Sequence, residues 1–213
     1  MKTAITIEPP KLDETKLSTT DDTILIEQYY EQTKWEHQLF ENRNIERLHI
    51  DSCYFHHCVF SNCSFPNFDG LDLIFDHCDL SNTDFSHSTF HRCIFRDCRL
   101  TGADFSESLY RNVTIENCNA TYFNASFSSI KKTRFLSTNF TSSSFNECEQ
   151  SQLLFEHCNL NESEFLNTKL NQVDLSTSSI EGILLSIESL KGMKVNHEQA
   201  IALTALLGIE IVT

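Results

Sequence analysis

The chain of 213 residues is short of the two residues that usually punctuate a fold, with only 5 Gly and 3 Pro. That scarcity, beside an apolar content of 40%, excludes collagen-like and fully disordered readings and is ample for a packed core. Cationic side chains are scarce as well: 16 Lys and Arg face 30 Asp and Glu, a formal net charge of −14. Phosphate contacts need Lys and Arg, so direct nucleic-acid binding is not expected. No apolar run approaches the roughly 18 residues of a membrane span, and residues 1–22 lack the apolar stretch of a secretory signal. A cytoplasmic protein without a membrane partner is the expectation. Glycine-rich phosphate loops, G-x-S-x-G elbows and HExxH motifs are missing too, so neither an enzyme nor a cofactor is expected.

Against these shortages stand 17 Phe and 9 Cys, and the two excesses are one pattern. Fourteen of the 17 Phe fall at residue numbers divisible by five, where a random scatter would leave about three. From Leu25 to Leu190 there are 34 such positions, and 30 of them hold Leu, Ile, Phe, Tyr or Trp; the exceptions are Gly70, Ala120, Ala125 and Gln150. The position two residues before is biased towards small side chains, and all nine cysteines occupy that slot, among them Cys58, Cys78, Cys98 and Cys118. The other three positions carry nearly all the charge and every histidine.

A period of five fits neither a helix near 3.6 nor a strand at 2.0, so neither element can hide these residues on one face. A chain that turns a corner after every unit can. Units such as Cys78-Asp79-Leu80-Ser81-Asn82, Thr83-Asp84-Phe85-Ser86-His87 and Ala103-Asp104-Phe105-Ser106-Glu107 resemble the pentapeptide-repeat family. The resemblance implies an all-β solenoid, a right-handed quadrilateral β-helix with four units per coil, here about 8.5 coils and roughly 40 Å long. The unbroken phase leaves no room for inserted loops. Two stretches depart from the class, residues 66–73 with Phe68 and Gly70, and 120–127 with Phe123 and Phe127. In both, a neighbouring bulky residue is expected to refill the volume lost at the centre.

Three segments follow. Residues 1–22, polar and with Pro9-Pro10, read as a mobile arm or an irregular cap; 23–195 form the rod; 196–213 form a C-terminal α-helix and extended tail. Asn196-His197-Glu198-Gln199 is a capping sequence, and Gly208 suits a left-handed exit. The apolar residues Ile201, Leu203, Leu206, Leu207, Ile209 and Ile211 need cover. A lid on the last coil and a homodimer interface are both expected of them.

The tail, with Leu190-Lys191-Gly192-Met193-Lys194-Val195 before it and Ile115-Glu116-Asn117-Cys118-Asn119-Ala120 at mid-rod, is similar to the Qnr and MfpA quinolone-resistance proteins. That resemblance implies two rods joined end to end, a DNA-mimicking surface, DNA gyrase and topoisomerase IV as partners, and protection of both from fluoroquinolones. Several Qnr members carry interrupting loops, which this chain lacks. A scaffold for some other protein partner is the alternative reading.

Duplex DNA carries about one charge per 1.7 Å, roughly 24 over about 40 Å, so imitation by this chain would be partial and set by placement. Sorting residues by their number modulo twenty gives one wall with seven acids against Arg43 and Arg47, among them Glu46, Asp84, Asp104, Glu107, Glu147 and Glu164. These six are the expected partner-binding face. The wall holding Arg92, Arg111, Lys131 and Lys132 carries six charges of each sign.

Cysteine and histidine lie in different phases, Cys inward and His57, His77 and His157 outward, so they cannot converge on one ion as a zinc centre requires. No metal is expected, beyond a weak surface contact where His57 and His77 stack. Buried thiols should act as small hydrophobes.

Overall fold

The structure, a computed structural model, describes residues 5–19 and 28–209. It is a parallel β-solenoid of about eight turns closed by one short C-terminal helix. Each coil takes twenty residues. Ladder partners therefore differ by twenty throughout, as in Phe75 with Phe95, Ile115 with Phe135, and Asp84 with Asp104.

The inward set is the one the period selects. Trp35, Phe55, Phe75, Phe95, Ile115, Phe135 and Phe155 stack in one buried column. Ring centroids lie 4.7 Å apart for Phe55 and Phe75 and 4.9 Å for Phe75 and Phe95, with planes within 4°. Parallel stacking follows from the repeat, because identical residues one coil apart share one rotamer environment; each buried Phe contributes about 2–3 kcal/mol. All nine cysteines are buried. Burial pushes four of these thiols up, to about 12 at Cys53 and Cys93 and about 11 at Cys148 and Cys158.

The four walls are not alike, and the residue before the central position differs between them. Ile74, Ile94, Thr114 and Leu154 stand there within the long strands Asp69–Asp76, Thr89–Arg96, Leu109–Glu116 and Glu149–Glu156, which run unbroken across two walls. On the other two walls the position holds Asp79, Asp84, Asp104, Asn124, Asn139 or Asn159. There the side chain accepts the N–H two residues on, as Asp84 does from Ser86 at 2.9 Å and Asp104 from Ser106 at 3.0 Å. These are Asx turns, which compete with strand geometry. Where that position on the same walls is Val59 or Leu184, a short strand returns.

The corners explain the scarcity of glycine. Every fifth residue from Gln32 to Gln172 has φ near +55°, and all but Gly102 carry a side chain. A left-handed conformation costs an L-residue about 1 kcal/mol, least for Asn and Asp. The corner N–H offsets this by bonding the next coil, as Asn82 does to Thr101 at 2.9 Å.

Of the two irregular stretches, one behaves as expected. Phe68 is buried over Gly70, where a Cβ would lie 2.6 Å from the Phe68 ring. In the other, Phe123 is buried and fills the space beside Ala120 and Ala125, but Phe127 is 58% exposed. Phe127 therefore does not refill the core; it occupies a corner, at φ +61°, and corners point outward.

Residues 5–19, the stretch expected as a mobile arm or an irregular cap, lie as a strap along the wall. Ser18–Thr19 pairs with Thr33–Glu36. Upstream, the Lys11 N–H donates to Asp72 at 2.7 Å and the Glu8 N–H to Asn112 at 3.2 Å. Ile5 reaches the groove beside Gln150 and Gln152. Three extended residues cover about 10 Å, the height of the two coils between Asp72 and Asn112. The strap runs up a single corner column, covering Asp72, Arg92 and Asn112.

The helix His197–Leu203 carries the full capping box at Asn196 and Gln199, continues as a 3₁₀ turn Thr204–Leu207, and exits through Gly208 at φ +68°. Buried Gln199 donates to the carbonyls of Leu175 at 2.9 Å and Ser178 at 2.7 Å, so the helix satisfies the open edge of the last coil. Residue Ile211 lies outside the described residues.

Candidate partner-binding surface

The expected acidic residues fall on one wall, in three registers: Asp84, Asp104 and Glu164 before the central position, Glu46 one past it, and Glu107 and Glu147 at the corner. Asn44, Ser64, Asp84, Asp104, Asn124, Ser144 and Glu164 form a single ladder, coil above coil. Asp84 and Asp104 are half-buried and committed to that ladder: Ser64 Oγ donates to Asp84 at 2.8 Å, and Asn124 Nδ2 to Asp104 at 3.0 Å. Burial pushes the Asp84 carboxyl up, but the Ser86 N–H and the Ser86 and Ser64 hydroxyls outweigh it and hold the group below its ordinary value. Glu164 accepts from Asn146 Nδ2 at 2.8 Å. Ser64 and Asn124 thus flank the directly paired Asp84 and Asp104, each donating to one carboxylate.

Glu46, Glu107 and Glu147 are exposed and carry the wall's outward charge. Glu46 lies 3.5 Å from Arg47 Nη2, and Glu107 lies 3.3 Å from His87 Nδ1. Phe127 stands in the same corner column as Glu107 and Glu147, between them. Tyr122, 65% exposed, sits at the opposite corner of that wall. An acidic strip edged by two exposed aromatics results. Both aromatics are two residues past a central position, and that phase marks them as outward in the sequence itself.

The wall of balanced charge is different. Arg92 makes a bidentate pair with Asp72, both bonds 2.6 Å, beneath the strap, and Lys132 faces Glu8 at 3.9 Å. Two of its four clustered cations are therefore drawn into structure.

At the C-terminal end, Leu203 packs on the core while Ile201, Leu206, Leu207 and Ile209 stay exposed. Helix and tail therefore present an apolar patch beyond the last coil. Among the described residues no helix is long and apolar enough to cross a membrane.

Histidines gather at another corner. His37 and His57 stack with centroids 5.0 Å apart, and His56, His57 and His77 bring one ligand atom each within 4.8 Å of the others. The sequence reading paired His57 with His77 and missed His56, which precedes the corner.

A solenoid with a twenty-residue coil, phenylalanine columns and left-handed corners defines a class, and residues 70–139 match the family model of the pentapeptide repeat region. Residues 70–139 are thus a pentapeptide-repeat region. No curated protein matches the chain. Among solved structures it is similar to QnrB1, a plasmid-mediated fluoroquinolone resistance protein, with 23% identity over 92% of this chain and 96% of that one, TM-score 0.43. It is also similar to HetL of the cyanobacterium Nostoc, a pentapeptide-repeat protein involved in heterocyst differentiation regulation, with 10% identity over 79% and 90%, TM-score 0.40.

Proposed function

We propose that the protein is a Qnr-like homodimer that binds bacterial type II topoisomerases, DNA gyrase or topoisomerase IV, through its acidic wall and protects them from fluoroquinolones. The observation that carries this reading is the acidic strip itself: a rod with outward carboxylates Glu46, Glu107 and Glu147 on one wall. A cationic saddle built for a duplex meets on that wall a repeating negative surface, and long-range attraction speeds the encounter. Phe127 and Tyr122 supply the desolvated anchors that a charge pattern alone lacks. Two rods joined through Ile201, Leu206, Leu207, Ile209 and Ile211 would double the length of the strip. The sequence similarity of the tail to the Qnr and MfpA proteins supports the same arrangement. Like other pentapeptide-repeat scaffolds, the protein would act by binding and without catalysis. Supercoiling by purified gyrase, titrated with this protein with and without ciprofloxacin, tests the reading. Restored supercoiling in the drug's presence is expected; no effect on gyrase or on topoisomerase IV would leave a scaffold for a different partner.

A further inference from the structure

We propose that His56, His57 and His77 form a binding site for a borderline divalent transition metal, zinc in kind, which staples adjacent coils of the N-terminal half. The three ligand atoms lie within 4.8 Å of one another. Tetrahedral zinc with bonds of about 2.1 Å holds its ligands roughly 3.4 Å apart, so side-chain adjustment at an exposed corner closes the site without moving the backbone.

The surroundings orient the rings for this. His77 Nδ1 donates to Asp76 Oδ1 at 2.6 Å, which leaves the lone pair on Nε2. Asp76 is itself fixed by Tyr54 at 2.7 Å and Arg96 at 2.6 Å. A carboxylate behind a histidine is the arrangement that sets tautomer and ring angle in metal sites. His56 Nδ1 is buried without a hydrogen bond, with Glu36 3.4 Å away. His37 stacks flat on His57, within 6°, and buttresses it from the preceding coil. Asp97, one coil beyond His77, brings an exposed carboxylate within reach of that ring.

Imidazole donors favour zinc, nickel and copper over magnesium or calcium. Only the folded register brings residue 56 beside residue 77, so the unfolded chain lacks the site and binding stabilises the fold. The buried thiols take no part, since they line the interior.

Calorimetric titration of the untagged full chain with zinc, and thermal unfolding at increasing zinc, test the proposal. His57→Asn and His77→Asn are suitable variants because Asn tolerates the left-handed corner. His157→Asn, at a corner remote from this cluster, is the control. One zinc per chain with micromolar affinity is expected, weakened at least tenfold in either variant and unchanged in the control, with an unfolding midpoint that rises with zinc only in wild type and control. Absence of saturable binding to the wild type, or equal binding by both corner variants, overturns it.

Discussion

A residue in this protein is defined by its phase, and its environment follows from that one number. Phe95 lies in the buried column between Phe75 and Ile115. Its replacement by Ala should cost about 3–5 kcal/mol, because coils above and below hold the void open; denaturant unfolding measures it, and a midpoint equal to wild type would place the side chain outside the core. Acid acts at a different phase. In Asp76, burial raises the carboxyl but the bonds from Arg96, Tyr54 and His77 outweigh it, and the net shift is downward. Asp72 is lowered likewise, burial being outweighed by Arg92 and the Lys11 N–H. Groups depressed on folding stabilise the fold above their unfolded value of about 3.9, and that contribution is lost as pH falls through the folded value. Loss of stability below about pH 4 is therefore expected, and Asp76→Asn should flatten the acid limb of a stability-versus-pH curve.

At the scale of elements, the rod was legible and the strap was not. An error of one residue would have moved every Phe out of its class, so dozens of positions test the coil at once. The strap's partners lie 61 and 104 residues away for Lys11 and Glu8, and its own signal is little more than half-buried Ile5 and Ile7. Exposed Phe127 was misread for a related reason: size suggested the core, while phase said corner. Asp72→Ala should free the strap by leaving the Lys11 N–H and Arg92 without their acceptor. Tryptic cleavage at Lys11 and Lys16 should accelerate about tenfold with the rod intact; unchanged protection would mean that apolar contacts of Ile5 and Ile7 suffice. In the tail, Leu203 and its neighbours part company. Leu203→Asp should loosen the last coil, since that side chain packs on the core. Ile201→Asp with Leu207→Asp alters exposed positions and should leave stability unchanged while sedimentation reports a monomer. A dimer that survives the pair would require another interface.

For the whole molecule the decisive quantity is where charge sits. Glu46, Glu107, Glu147 and Glu164 replaced by Gln would remove four charges from the acidic wall and spare the Asx turns of Asp84 and Asp104. Gyrase association should slow on the order of tenfold at low salt, with a flatter salt dependence. The matched control takes Gln or Asn at Glu31, Asp51, Asp69 and Glu149 on the balanced wall, avoiding the buried pair of Asp72; equal losses from both sets would show that net charge alone matters. Such a wall exists only because partners recur every twenty residues. An insertion of five would carry all later side chains a quarter turn onward, splitting the strip into two straight halves on adjacent walls. Twenty inserted residues would lengthen the strip and leave it straight. The molecule is thus a ruler graduated in coils, able to change its reach toward a partner only in whole steps of roughly 4.8 Å.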